Sequence, residues 1–373
     1  MTRKLLFVAT EDWFVRSHFL PLIRRSVEEG FEPIVAARMN GAREALEAAG
    51  ARTINVGASR SANDAASIWR ASQDMRRIFQ AERPDLVHAI ALRAIGLASL
   101  AAVGAPKAPH VLALTGRGYH SAAGSWSARA KLKAAAALID TRVRAGNAVL
   151  LVENNADAVW AGAADAAVHI PGAGVDLDTF QVAPEPSAPP LRIGFVSRLV
   201  WSKGADLAVE ALRRLRAQGI DAVLSIAGEP DPDNPAAVSA EELIVWAREP
   251  GIELLGRVED INGFWAKQHV ACLPSRGGEG LPRALLEAAA CGRAIVTTAV
   301  PGCADFVADG ESGFVVPPDD ASALAAALRR LNDTPTRQQM AQAARAHVAS
   351  GYTTRHATDA AAEAWRRALN GRS

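Results

Sequence analysis

Cysteine is scarce in this 373-residue chain, which contains three, and no two of them form a Cys-x-x-Cys pair. A disulfide framework or a zinc site built on paired cysteines is therefore not indicated. Because free thiols persist in reducing compartments, we expect a cytoplasmic protein. The apolar run after Arg3-Lys4 covers only Leu5–Ala9. That run is too short for a signal peptide and is typical of a first strand.

Strong charge imbalance and long apolar runs are also missing. The formal net charge is +1, which gives no basis for a nucleic-acid partner. The longest apolar stretch lies near Ala94–Ala105 and is too short to cross a bilayer. No G-x-G-x-x-G motif follows the first apolar run, so we do not expect a dinucleotide cofactor there.

Short apolar runs alternate with longer amphipathic segments along nearly the whole chain. The predicted strands are Leu5–Ala9, Pro33–Ala37, Thr53–Val56, Leu86–Ala89, Val111–Leu114, Ala148–Val152, Val168–Ile170, Leu191–Ser197, Ala222–Ala227, Ile252–Leu255, Val270–Leu273, Ala294–Thr297 and Phe314–Val316. This alternation predicts α/β architecture with doubly wound parallel sheets. The chain length favours two such domains.

A Pro-rich segment without hydrophobic periodicity, residues 181–190, is typical of a semi-rigid linker. It divides the chain into a predicted N-terminal domain, residues 1–180, and a predicted C-terminal domain, residues 191–352. A last helical segment, within residues 353–373, has no strand after it. We expect that helix to pack back on the N-terminal domain.

Two glutamates flank the start of an apolar helical segment in the second domain. Glu279 precedes Pro282, which suits a first helical turn, and Ala284–Ala290 is apolar except for Glu287. A helix that is apolar all round is buried, so Glu287 needs hydrogen-bond donors. The helix N-terminus beside Glu279 favours an anion such as a phosphate. This arrangement suggests a sugar nucleotide, although two glutamates eight residues apart also occur by chance.

A cationic loop follows the predicted strand that ends at Ser197. Arg198 and Lys203 lie there, just before the predicted helix Ala205–Ala217, and Ser202 is placed to cap that helix. An arginine can hold two phosphate oxygens, and a lysine supplies a point charge. Ligands of such sheets bind beyond the carboxyl ends of the strands, so both loops face one site.

In the N-terminal half, two loops at carboxyl ends of predicted strands are candidates for ligand contacts. One contains Asp12 and His18, and the other begins Thr115-Gly116-Arg117. Either could equally be an ordinary surface loop. His88, at the end of another predicted strand, is either a ligand contact or a structural histidine.

Acidic residues are absent from Leu86 to Ile139. The basic residues of this interval are Arg93, Lys107, Arg117, Arg129, Lys131 and Lys133. Trp126 precedes the last three, and a basic segment with an aromatic residue can lie on anionic lipid. The alternative is a solvated helix face.

The second half of the chain resembles the family-four retaining glycosyltransferases of the GT-B fold. The matching segments are Gly194-Phe-Val-Ser-Arg198 with Lys203-Gly204, Leu255-Gly-Arg-Val258, Pro274-Ser275 with Glu279-Gly-Leu-Pro282 and Glu287, Pro301-Gly302, and Asp309-Gly310 with Gly313-Phe314. The resemblance implies two Rossmann-like domains that face each other across a cleft. It also implies a nucleoside diphosphate sugar, usually UDP-linked, as a substrate, with no cofactor and no catalytic metal.

The resemblance also implies roles for individual residues. Arg198 and Lys203 would bind the diphosphate, Glu287 the ribose, and Glu279 the donor sugar. Gly280, Leu281 and Arg283 in the same stretch would also contact the donor. The backbone at Arg257-Val258 would meet the base.

Further segments are similar to the branch that extends lipid-linked bacterial oligosaccharides. They are Asp12-Trp13-Phe14, Ser17-His18, Thr115-Gly116 and Arg283. This similarity implies a glycan acceptor carried on a polyprenyl diphosphate, bound by Asp12, His18, Thr115, Gly116 and Arg117. It also implies that the protein acts at the anionic inner membrane, in the synthesis of bacterial surface polysaccharides. The loop Arg276-Gly277-Gly278 departs from the usual branch pattern, which leaves the donor sugar open.

The predicted activity is therefore metal-independent hexosyl transfer with retained anomeric configuration. A sugar-nucleotide epimerase of similar fold is one alternative; it needs further acid/base carboxylates, for which Asp12 is the candidate. A non-catalytic sugar-nucleotide-binding protein is another. Such a protein is expected to lose Arg198, Lys203 or Glu279, and this chain keeps all three.

Overall fold

The computed structural model describes residues 2–57, 65–105, 107–118, 126–278 and 280–371. The chain divides into two compact units. The first is Met1–Ala173 together with Thr354–Ser373, and the second is Gly174–Thr353.

The first unit is built on a seven-stranded parallel sheet with the order β3-β2-β1-β4-β5-β6-β7. The strands are β1 (Arg3–Glu11), β2 (Phe31–Arg38), β3 (Arg52–Asn55), β4 (Leu86–Ile90), β5 (His110–Leu114), β6 (Ala148–Val152) and β7 (Val168–His169). In register, Leu5 of β1 lies between Pro33 of β2 and Leu86 of β4. The strand order reverses at β1 and β4, which is where sheets of this kind bind ligands.

Helices cover both faces of this sheet. They are α1 (Asp12–His18), α2 (Leu20–Glu28), α3 (Arg43–Ala48), α4 (Ala65–Glu82), α5 (Ala91–Ala101), α6 (Trp126–Arg144), α7 (Asn155–Trp160) and, at the end of the chain, α15 (Thr354–Asn370). The helices α1, α2 and α15 share one apolar core with the sheet. The helices α4 to α7 share the core on the other face.

The second unit has a six-stranded parallel sheet with the order β10-β9-β8-β11-β12-β13. The strands are β8 (Leu191–Val196), β9 (Ala222–Ala227), β10 (Ile252–Gly256), β11 (Val270–Leu273), β12 (Ala294–Thr298) and β13 (Gly313–Val316). The helices are α8 (Ala205–Ala217), α9 (Ala240–Ala247), α10 (Ile261–Ala266), α11 (Arg283–Ala290), α12 (Cys303–Phe306), α13 (Ala321–Arg330) and α14 (Thr334–Gly351). One continuous core joins the sheet to these helices.

Every strand predicted from the sequence is present, with ends that differ by two residues at most. Buried parallel strands form short continuous apolar runs, which explains this agreement. The helix α5 overlaps the apolar stretch near Ala94–Ala105, and most of its residues are buried.

The Pro-rich segment 181–190, predicted to be a linker, packs along the second unit. The carbonyl of Ala183 accepts a hydrogen bond from Arg293 Nη2 at 2.9 Å. The carboxylate of Glu185 accepts two from Arg337, both at 2.9 Å. Both arginines are buried, and a buried guanidinium needs acceptors. The segment supplies those acceptors, so it is an integral part of this unit.

The C-terminal helix α15 belongs to the first unit. Its buried residues Ala357, Ala361, Ala364 and Trp365 form one apolar stripe against the sheet. Trp365 Nε1 donates a hydrogen bond to His88 Nδ1 at 2.9 Å. Within the described residues, no helix has both the length and the apolar content that a bilayer crossing requires.

Candidate functional site

Loops that follow neighbouring strands of the second unit pack closely at the carboxyl edge of its sheet. A Cβ atom at Gly204, after β8, would lie 2.0 Å from the carbonyl oxygen of Pro274, after β11. A Cβ atom at Gly302, after β12, would lie 1.5 Å from the carbonyl oxygen of Gly280. Only glycine permits these approaches. The loops that carry the predicted donor residues are therefore assembled into one surface.

Arg276 connects several loops of this surface. Its Nη1 and Nη2 donate to the two carboxylate oxygens of Asp206 at 2.8 and 2.7 Å, and its Nε donates to Asp319 at 2.6 Å. Its Nη1 also contacts the Trp201 carbonyl at 2.5 Å. The hydrogen bonds that Arg276 donates to Asp206 raise the pKa of Arg276 further above its usual value. These partners follow other strands, so Arg276 joins the segment after β11 to those after β8 and β13.

The predicted phosphate-binding cations lie on either side of a short turn after β8. Arg198 is half-exposed, and its Nη1 donates to Asp231 Oδ2. Lys203 ends a 3₁₀ turn, Trp201–Lys203, and Gly204 then takes the N-cap position of α8 in a left-handed conformation with a φ of 76°. Ser202 was predicted to cap this helix, which was wrong; α8 has no side-chain cap, and the Ser202 carbonyl accepts the Arg276 N–H at 2.7 Å.

The predicted ribose-binding carboxylate, Glu287, lies inside the second unit on α11. Pro282 occupies the N-cap position, so α11 begins one residue later than the expected first turn. Glu287 is 5% exposed, and its Oε1 pairs with Arg283 Nε at 2.7 Å. Burial raises the pKa of Glu287, against the opposing charge of Arg283. The sequence placed both residues at the donor but did not indicate that they form a pair.

The other donor candidates border the same edge. Gly280 and Leu281 are buried just before Pro282. Arg257 is exposed and Val258 half-buried after β10, the outermost strand next to β9. Glu279 lies outside the described residues. The assignments of all these residues to the donor stay predictions.

In the first unit, Asp12 and His18 follow β1 and belong to α1. Asp12 is fully buried, and its Oδ2 accepts N–H bonds from Asn40 and Ala42 at 2.6 and 2.9 Å. This carboxylate therefore anchors the backbone that follows β2. The His18 ring packs against the Phe14 ring with a centroid distance of 4.5 Å and an interplanar angle of 38°.

The second candidate loop of the first unit, Thr115 to Arg117, follows β5 at the same edge of the sheet. Gly116 has a φ of 96°, which a residue with a side chain rarely adopts. Arg117 Nε pairs with the buried carboxylate of Asp157 at 2.9 Å, and its guanidinium lies 6.0 Å from the centre of the Trp160 ring. Arg117 is thus held by α7.

The surroundings of His88 are those of a structural histidine. It is fully buried in the middle of β4 and accepts the indole hydrogen bond described above. Burial lowers the pKa of His88 to about 3, so the ring is neutral at physiological pH.

The three basic residues of the predicted membrane patch are exposed on α6, but they do not share one face. Trp126, Arg129 and Lys133 follow the helical spacing of a single side, and Trp126 is 84% exposed. At about 100° per residue, Lys131 lies roughly 160° around the helix from both Arg129 and Lys133. Any flat surface on this side of α6 would meet Arg129 and Lys133 rather than all three.

The described residues contain no group of three His, Cys, Asp or Glu side chains placed to hold a metal ion. The expected independence from metals stays a prediction.

Two family models match the chain. The model described as "Glycosyl transferases group 1" covers residues 190–334, and the one described as "Glycosyl transferase 4-like" covers residues 4–142. Both models describe glycosyl transferases, and together they cover most of the chain. The family predicted from the sequence is therefore confirmed, and the two models fall on the two structural units.

Curated relatives match this chain mostly over part of their length. The capsular polysaccharide biosynthesis glycosyltransferase CapM of Staphylococcus aureus is 26% identical over 43% of this chain and 42% of its own length. The putative colanic acid biosynthesis glycosyltransferase WcaL of Salmonella typhimurium is 34% identical over 44% of this chain and 42% of its own. The chain thus spans about two fifths of the length of these relatives. Glycogen synthase of Mycobacterium tuberculosis is 29% identical over 78% and 70%.

Solved structures share the whole fold. Anabaena Alr3699/HepE in complex with UDP and glucose has a TM-score of 0.76 at 19% identity and covers 97% of this chain and 98% of its own. Sucrose-phosphate synthase from Thermosynechococcus elongatus has a TM-score of 0.79 at 16% identity and covers 100% of both. At such identities the likeness concerns the fold alone. The predicted fold class, two doubly wound α/β domains of the GT-B type, is confirmed.

Proposed function

We propose that this protein transfers a sugar from a nucleoside diphosphate donor, most simply a UDP-sugar, to a glycan acceptor with retained anomeric configuration. The observation that carries the proposal is the assembly of Arg198, Lys203 and the loop before α11 at one sheet edge. That edge lies within the segment matched by the group 1 family model. The base is proposed as uracil because a neighbour of the same fold is in complex with UDP.

The difficult part of such a reaction is the negative charge that develops on the leaving diphosphate. Arg198 and Lys203 would stabilise that charge, together with backbone N–H groups at the start of α11. The bond between the anomeric carbon and the phosphate oxygen breaks, and the bond to the acceptor oxygen forms on the same face. The acceptor proton passes to the departing phosphate, so no carboxylate need act as nucleophile.

The remaining donor contacts follow the sequence predictions. Glu287 would accept hydrogen bonds from the ribose, with Arg283 holding its carboxylate in place. Glu279 would contact the donor sugar beside Gly280 and Leu281. The backbone at Arg257 and Val258 would contact the base.

For the acceptor, we propose a glycan bound at the carboxyl edge of the first sheet by His18, Thr115, Gly116 and Arg117, with Asp12 fixing the loop geometry. The names of the relatives, capsular polysaccharide and colanic acid glycosyltransferases, support surface polysaccharide synthesis. A polyprenyl-diphosphate-linked acceptor would place the protein in the cytoplasm at the anionic inner membrane. Arg129 and Lys133 would face the lipid.

The epimerase alternative needs acid/base carboxylates. Its candidate is Asp12, whose contacts favour a structural role. Asp12 already accepts two backbone hydrogen bonds through one oxygen. These bonds give Asp12 a structural role, since they hold the backbone that follows β2.

Incubating the protein with a panel of nucleotide sugars, with and without EDTA, tests the proposal. We expect slow conversion of one donor to its nucleoside diphosphate and free sugar, unaffected by EDTA and accelerated by the correct acceptor. An epimerised sugar nucleotide would instead establish the epimerase, and binding without turnover of any donor would establish the non-catalytic alternative.

A further inference from the structure

The loops after β8 and β9 are bonded to each other along their length. The N–H of Leu199 donates to the carbonyl of Glu229, and the N–H of Val238 donates to the carbonyl of Leu199, both at 2.9 Å. The N–H of Trp201 donates to the carbonyl of Ala236, also at 2.9 Å. The β9 loop is therefore fixed relative to the loop that carries Arg198 and Lys203.

A glycine at the start of the β9 loop permits this approach. A Cβ atom at Gly228 would lie 1.8 Å from the carbonyl oxygen of Ser197, the residue before Arg198. Three residues after Gly228, Asp231 faces Arg198. The close approach of the two backbones is what brings this carboxylate to the cation.

The carboxylate of Asp231 is held in place as the partner of Arg198 by burial and by a hydrogen bond within its own turn. Its side chain is 9% exposed, and its Oδ1 accepts the N–H of Asp233 at 3.2 Å, which fixes the carboxylate within its own turn. Its Oδ2 accepts from Arg198 Nη1. The carboxylate thus lies ready beside the guanidinium proposed to bind phosphate.

We propose that Asp231 is a positioning residue and the resident counter-anion of Arg198. The diphosphate and Asp231 would then share the same guanidinium. The inference rests on the proposed function. In the absence of nucleotide, Asp231 holds Arg198 in place; when the diphosphate binds, it must compete with Asp231 for the Arg198 guanidinium. The consequence is weaker binding of the nucleoside diphosphate product and faster release.

The expected effect is moderate, because the pair is partly open to water and salt screens it. Replacing Asp231 with Asn keeps the shape and the oxygen that accepts the Asp233 N–H but removes the charge. We expect D231N to bind the nucleoside diphosphate about 3- to 10-fold more tightly. Product inhibition should strengthen in parallel, the donor KM should fall, and kcat should fall wherever product release limits turnover.

The experiment is titration calorimetry of UDP, GDP and inorganic diphosphate into wild type, D231N, R198A and the double variant, at two salt concentrations. Glu249→Gln is the matched control. Glu249 forms an equally close pair with Arg213, and its substitution removes the same charge at the other edge of the sheet. The expected result is tighter binding in D231N, unchanged binding in the control, and no gain from D231N when Arg198 is already Ala. Asp231→Ser serves as a second uncharged variant if D231N folds poorly.

Binding by D231N that equals wild type, or is weaker, overturns the inference while leaving the proposed function intact. A gain that persists in the R198A background also overturns it, because Asp231 would then act on the ligand without Arg198. Failure of wild type to bind any of the three probes overturns the proposed function itself.

Discussion

Glu287→Gln tests the donor site most informatively, because it separates binding from catalysis. The buried carboxylate has one described ion pair, from Arg283, and is proposed to accept ribose hydroxyls. Gln keeps the size and one acceptor oxygen but loses the charge. The ribose changes little during sugar transfer, so its contacts are shared by the ground and transition states, and their loss raises KM rather than lowering kcat.

The magnitude follows from the hydrogen bonds that are weakened. Hydrogen bonds to a charged group are worth about 1.5–3 kcal/mol, and about 1.4 kcal/mol is tenfold in affinity. We therefore expect the donor KM of E287Q to rise roughly 10- to 100-fold, with kcat within a few-fold of wild type. Since burial raises the pKa of Glu287, its ionised form is disfavoured by folding, and a neutral Gln should not destabilise the protein at neutral pH through charge.

The pH dependence provides a second readout with a definite sign. Because the folded pKa of Glu287 lies above its usual value of 4.5, the carboxylate protonates earlier than a free glutamate as pH falls. The wild-type donor KM should rise as pH drops through that raised pKa, and E287Q should lack this rise.

The assay is steady-state release of the nucleoside diphosphate with the donor varied. Glu210→Gln is the control, since Glu210 forms an Arg–Glu pair at the same helical spacing with Arg214 on the exposed face of α8. If E287Q lowers kcat while the donor KM stays unchanged, the proposed ribose contact is wrong.

Three further predictions concern other residues. Glu279→Gln should lower kcat more than it raises the donor KM, because the donor sugar becomes cation-like in the transition state; the reverse pattern in initial rates would contradict this role. For His88, the folded pKa of about 3 lies below the unfolded value of about 6.5, so stability is present above pH 6.5 and is lost as pH falls, by about 1.4 kcal/mol per pH unit. Urea unfolding of wild type between pH 7 and 5 should show this slope and His88→Gln should not; equal slopes would refute it. Arg129→Gln with Lys133→Gln should reduce low-salt co-sedimentation with anionic liposomes more than Lys131→Gln does, and a larger effect of Lys131→Gln would place the membrane on another face of α6.

The fold, and the placement of the candidate loops at one sheet edge, could be predicted from the sequence because both depend on local patterns. Buried parallel strands form recognisable apolar runs, and loops after such strands lie at one edge of a sheet. The burial of Glu287 could also be predicted, because the helical segment around it is apolar on all sides.

The electrostatic partners could not be predicted, because they come from distant parts of the chain. Arg198 pairs with Asp231, 33 residues away, and Arg276 with Asp206, 70 residues away. Nothing in the local sequence around an arginine identifies a carboxylate in another loop. Helical geometry alone could have shown that Arg129 and Lys131 lie on two sides of α6. The sequence prediction counted the charges of this segment without considering their angular positions.

The central claim is that the carboxyl edge of the second sheet binds a nucleoside diphosphate sugar through Arg198 and Lys203. The most direct measurement is the turnover of the identified donor by wild type, Arg198→Ala and Lys203→Ala at saturating donor, with circular dichroism as the control for folding. A cation acting on transition-state phosphate charge is worth roughly 10³-fold or more, so we predict a loss of about that size in both variants without loss of fold. Near-normal turnover by either variant at saturating donor would contradict the account.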